Sequence, residues 1–168
     1  MPTIVTTVGA ANANSYVAVA DADTYMASRL HAEAWVDDAD NTEKEAALIW
    51  AARLIDTTVR FNGTKVTSTQ SMAWPRAGLT DESGYDVSEN AIPQIIKYLQ
   101  MELALLLLTT DRTKESQAAA AGLTSLRAGP VSLSFKDEIQ VKQVPDTLMA
   151  MLPMEWVWQP IPNILVVN

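Results

Sequence analysis

The sequence predicts a mainly α-helical protein, a small bundle of three to four helices with a short β-hairpin and an extended C-terminal arm. Three observations predict it. Segments near residues 19–30, 42–59 and 92–108 repeat apolar side chains at helical spacing. A stretch around Val131 alternates apolar and polar with a period of two, as strands do. The end, "PMEWVWQPIPNILVVN", holds Pro153, Pro160 and Pro162 and lacks helical periodicity. With 168 residues, 48% hydrophobic and 19% charged, the chain can bury one core. The expected division is a helical domain over residues 1–152, with the hairpin near 124–144, and an arm over 153–168.

The first helix is expected from Val19 or Ala20, with Asp21 and Asp23 complementing the dipole in its first turn. Ala22, Tyr25, Met26 and Leu30 form its apolar stripe, and "DDADN" ends the pattern as a solvated turn. In the second helix Thr42 and Glu45 match a capping box, and Ala46, Ile49, Trp50, Arg53 and Leu54 line the predicted inner face. Residues 60–90 read as a long irregular segment, a length that points to a functional or partner-ordered loop. The third helix opens at Pro93, suited to a first helical position. Over Leu103–Leu108 it is apolar on every side and must be covered on every side, so Leu105, Leu106 and Leu108 are candidates for a subunit interface. "TKESQAAAAG" reads as a helix end or hinge. The strand Val131–Phe135 then pairs either with residues near 125–127 or with 139–144. Pro145 and Asp146 start a short last helix.

Composition narrows the chemistry. The formal charge is −8, and residues 1–58 carry nine acidic and three basic groups, net −6. That balance opposes general nucleic-acid binding, whose affinity comes from Lys and Arg displacing counterions. It allows a protein that surrounds DNA without gripping it. Cysteine is absent, which excludes disulfides, thiolate nucleophiles and Cys-ligated metals. His31 is the single histidine, which excludes the common multi-histidine metal sites and would have to serve any triad. Glycine-rich phosphate loops and nucleophile elbows are missing. No enzyme, cofactor or metal is expected. The N-terminus does not read as a signal peptide, and "LALLLL" is far short of the roughly 20 residues of a membrane helix.

Two constellations carry the remaining signal. "QSMAWPRAG" places Trp74, Pro75, Arg76 and Gly78 in a row. Trp74 and Arg76 can stack on unpaired bases. Alternatively they latch the loop to the bundle, with Arg76 on a carboxylate, and a single aromatic without a basic surround favours the latch. Trp156 and Trp158, two apart in an extended segment, point to one side and suit an anchor for a partner pocket.

The segments "NSYVAVADADTYMASR", "EKEAALIWAARLID", "QSMAWPRAG", "IPQIIKYLQMELAL" and "RAGPVSLSF" occur in an order that resembles a family of tailed-phage head–tail connector proteins. These are also called adaptor, head-completion or neck proteins, and are often labelled DnaT-like single-stranded DNA-binding proteins. The resemblance covers residues 14 to 150. It implies a helical bundle with a hairpin and a non-enzymatic virion protein at the neck, made in the host cytoplasm. It also implies a ring, typically dodecameric, whose partners are a portal and a neck or tail-completion protein, with genome DNA passing through and no membrane. By the same resemblance the arm, Trp156, Trp158, Ile161 and Ile164, docks on the portal. The alternative is a single-strand-binding replication accessory using Trp74, Arg76, Lys65 and Trp156.

Overall fold

The computed structural model describes residues 3–112, 125–128, 131–134 and 142–158. It is mainly helical with a short antiparallel hairpin. The helices are α1 (Val19–Met26), α2 (Asn41–Thr58), α3 (Gln94–Thr109) and α4 (Asp146–Met149), with a π-turn at Ala34–Asp38 between α1 and α2 and a 3-10 turn at Met154–Trp156 after α4. Strands β1 (Thr64–Lys65) and β2 (Arg76–Ala77) pair antiparallel within the long loop. Strands β3 (Ser125–Ala128) and β4 (Val131–Ser134) form the hairpin, in the register Ser125↔Ser134 to Ala128↔Val131. Of the two partners open to the Val131 strand, the preceding segment is the one used. Phe135, the alanine run 118–121 and residues 159–168 lie outside the described residues.

Helices α2 and α3 are the central pair. Helix α2 starts two residues before the expected box. Asp40 accepts from the Glu43 amide at 2.8 Å while the Glu43 carboxylate accepts from the Asp40 amide at 2.9 Å. Two of the donors left unpaired at the helix start are thereby satisfied. The inner face is also rotated from the expected one: Ala47, Leu48, Ala51, Ala52, Leu54 and Ile55 are buried. Three alanines on that face let α3 come close. Of the residues expected there, only Leu54 is inside.

Inside the pair sits a polar group, Gln100, fully buried on α3. Its side chain donates to Leu48 O at 2.8 Å and Ser15 Oγ at 2.6 Å, and accepts from the Tyr16 amide at 2.9 Å. A buried amide left unpaired costs about 1–3 kcal/mol, so these bonds also fix the N-terminal segment against both helices.

Helix α1 is shorter than its apolar stripe. Ala22 and Met26 are buried, but the helix ends at Met26, and Leu30 is 80% exposed. His31 follows at φ +59 and is exposed. Asp23, expected to serve the helix dipole, instead accepts from Trp35 Nε1 at 2.8 Å and Lys44 Nζ at 3.0 Å. Burial pushes its carboxyl up, but these two donors outweigh it and hold it below the ordinary value.

The leucine-dense end of α3 is covered by its own chain. Leu103 and Leu105 are buried, and Leu106, Leu107 and Leu108 are partly buried and packed on the core. Helix α4 contributes cover, with Val144, Leu148 and Leu152 buried around it. No helix among the described residues is long and apolar enough to cross a membrane.

Candidate functional site

The 70–78 segment folds as a latch. Trp74 is 1% exposed, and the Trp74–Pro75 peptide is cis. Its ring meets Phe61 edge-on at 5.5 Å and Trp156 at 5.2 Å. Among the described residues Arg76 makes no ion pair or hydrogen bond with a carboxylate. Nε donates to Asn62 O at 2.6 Å, Nη1 to Ala73 O at 3.0 Å, and Nη2 to Phe61 O at 3.1 Å and Gly63 O at 2.7 Å. The guanidinium fork is suited to this because its donors point in several directions from one plane. Gln70, 4% exposed, adds bonds to Met72 O and Pro75 O, both at 3.0 Å. The loop expected to lack structure is therefore tied from inside.

Beneath it lies Asp56 of α2, which accepts from the Ala73 amide at 2.8 Å and from the Tyr16 hydroxyl. Burial pushes the Asp56 carboxyl up, opposed by those two donors and by Lys65 and Arg76 nearby. Burial, then Asp56, raises the Tyr16 hydroxyl as well. A small solvent-open cleft of about 10 Å³, room for a single water, adjoins the latch, lined by the Thr6–Ala10 turn, Tyr16, Gln70 and Trp74 among others. Tyr16 is the titratable group of that lining, and its proton is committed to Asp56.

The arm expectation is corrected for Trp156. It is 5% exposed, packs against Trp74 with the rings tilted by 49°, and donates from Nε1 to Thr80 O at 2.7 Å. The backbone joins in: Asn62 N donates to Trp156 O and Trp158 N to Arg60 O, both at 2.8 Å. Residues 153–158 thus pack on the helical body, and a boundary at 152/153 does not separate them from it. Only three residues, Pro153, Met154 and Glu155, separate Leu152 from Trp156, too few for the arm to leave before the indole reaches the gap beside Trp74. Trp158 remains 49% exposed. Ile161 and Ile164 lie outside the described residues. Leu105 is also corrected: at 4% exposure it serves the core and not a neighbour, whereas Leu106 and Leu108 keep partly exposed edges.

Sequence reasoning missed the outer face of α2. Trp50, assigned inward, is 38% exposed, and the Arg53 guanidinium lies 5.2 Å from its ring centre. Arg60 sits likewise 5.6 Å from the Trp158 ring. The i, i+3 spacing of Trp50 and Arg53 is the signal that was available, since such residues are surface neighbours on a helix.

Residues 1–159 match the model of the family described as "Putative DnaT-like ssDNA binding protein". The chain belongs to this family. The match takes in every helix and both hairpins of the fold. No curated protein and no solved structure matches the chain.

Proposed function

We propose that the chain is a structural virion component, a ring-forming head–tail adaptor that joins a portal to the neck or tail and surrounds the DNA channel. The observation that carries this reading is the ordered set of connector-like segments lying on a helical bundle that bears the β3–β4 hairpin. That is the architecture the resemblance implies. The net charge of −8 fits a channel wall, because phosphates passing carboxylates are repelled rather than held. In this reading Trp158, Ile161 and Ile164 dock on the portal, with Trp156 as the pinned root, and Leu106 and Leu108 line the contact between copies. No catalytic step is assigned. Negative-stain imaging of the purified protein, alone and with its portal, tests the proposal. Rings seated on the portal are expected; a chain that stays monomeric and unbound in both samples overturns it.

The family's description favours a second reading, single-strand DNA binding. Three of the residues assigned to it, Trp74, Arg76 and Trp156, are engaged in the latch, and Lys65 Nζ donates to Gln70 O and Ser71 O. That activity therefore requires a surface elsewhere. Tight, salt-sensitive binding of an oligonucleotide, with no ring on the portal, would place the second reading first.

A further inference from the structure

The five tryptophans divide by burial. Trp35, Trp74 and Trp156 are inside at 0%, 1% and 5%, whereas Trp50 and Trp158 stand out at 38% and 49%. Each exposed indole carries an arginine, Arg53 on Trp50 and Arg60 on Trp158. Other arginines with described side chains are committed. Arg29 pairs with Glu102, Arg76 with four carbonyls, and Arg112 with the carbonyls of Lys142 and Gln143. Arg53 and Arg60 hold only the ring faces among the described residues.

The two pairs border the C-terminal half of α2 and the residues that follow it. Trp50, Arg53 and Thr57 share the outer face of α2 by their spacing of three and four. Arg60 follows two residues after the helix, and the Trp158 amide bond to Arg60 O sets the second indole beside it. Flat π-faces with guanidinium groups beside them are the elements by which single strands are bound without sequence preference. A duplex offers such indoles no unpaired base to stack on.

We infer that this edge, Trp50–Arg53–Arg60–Trp158, is a single-stranded nucleic-acid contact, the indoles stacking on bases and the guanidinium groups meeting phosphates. It rests on the second reading above and gives that reading its surface. The positive edge in an otherwise acidic chain also sets the orientation, since a strand is repelled from the remaining surface.

Fluorescence anisotropy with a labelled oligothymidine of about 20 nucleotides, longer than the site of a typical single-strand module, tests it. A duplex of the same length is the second arm. Trp50→Ala is expected to weaken single-strand binding roughly tenfold, the scale of one lost stacking contact. Replacing Arg53 and Arg60 together by Ala should lower the slope of log K against log salt by about 1.4. Arg53→Lys keeps the charge and should keep that slope. Unchanged thermal melting certifies that the variants fold. If the wild type binds and every variant binds equally well, the edge is the wrong surface and the single-strand reading stands. If the wild type does not bind, both fall. Equal duplex binding indifferent to Trp50→Ala rejects base stacking, and variants that alter only the oligomeric state make the edge a contact between copies, which also overturns the inference.

Discussion

Arg76 shows how one side chain can organise a loop. Its donors meet the carbonyls of residues 61, 62, 63 and 73, so removing it leaves several partly buried acceptors unpaired. Arg76→Ala is expected to destabilise the fold by about 2–4 kcal/mol in denaturant unfolding. Lys should rescue little, because an ammonium cannot span the four positions. Gly63 makes the matching backbone demand. It sits at φ +70, and a Cβ there would stand 2.5 Å from Ala77 O. Gly63→Ala should therefore cost more than about 1 kcal/mol by the same measurement. Glu102 supplies a pH-dependent term. Hydrogen bonds from Arg29, at 2.8 and 2.9 Å, hold its carboxyl below the ordinary 4.5, helped by Tyr25 and opposed by burial. A depressed carboxyl contributes stability that is complete above the unfolded value and is lost as pH falls through the folded one. The stability gap between wild type and Glu102→Gln should accordingly narrow as pH drops below about 4.5, followed by thermal melts across the acid range.

At the scale of elements, the last turns behave as two parts. Trp156 closes the aromatic cluster with Phe61 and Trp74, while Trp158 lies outside on Arg60. Trp156→Ala should cost about 3–5 kcal/mol, as large-to-small core changes do. Trp158→Ala should stay within about 0.5 kcal/mol, the usual range for a surface change. Equal losses in chemical denaturation would contradict this partition. A deletion after Pro153 consequently does more than remove a partner contact: it takes away a core residue and two backbone hydrogen bonds to residues 60 and 62.

For the whole molecule, the informative deletion falls after Trp158. In the adaptor reading, a chain ending there keeps its melting temperature and loses portal capture, because Trp156 remains while Ile161 and Ile164 are gone. Sedimentation with the portal, beside a melting curve, checks both halves. Capture at full strength would remove the arm from the adaptor interface. The acidic balance works at this scale too. Charge spread over the surface decides what the chain repels.

Much of the helical pattern was legible in the sequence, because apolar spacing and start signals are local. The start of α1 at Val19, the region of α3, the short α4 and the strand near Val131 follow from such signals. The face of α2 did not, since Ala47 and Ala51 carry little hydrophobic weight beside Ile49 and Trp50, yet small residues are what a close neighbouring helix requires. The capping residue was misplaced for a related reason. Asp40 and Thr42 are both good caps, and packing of the whole helix chooses the register. The destination of Trp156 and the four carbonyls of Arg76 could not be read at all. They depend on where residues 60–63, 73 and 80 stand in space, and that is set only when the helices have packed. Local chemistry thus determined which elements form, and tertiary contact alone decided which tryptophans became core and which were left with an arginine on the surface.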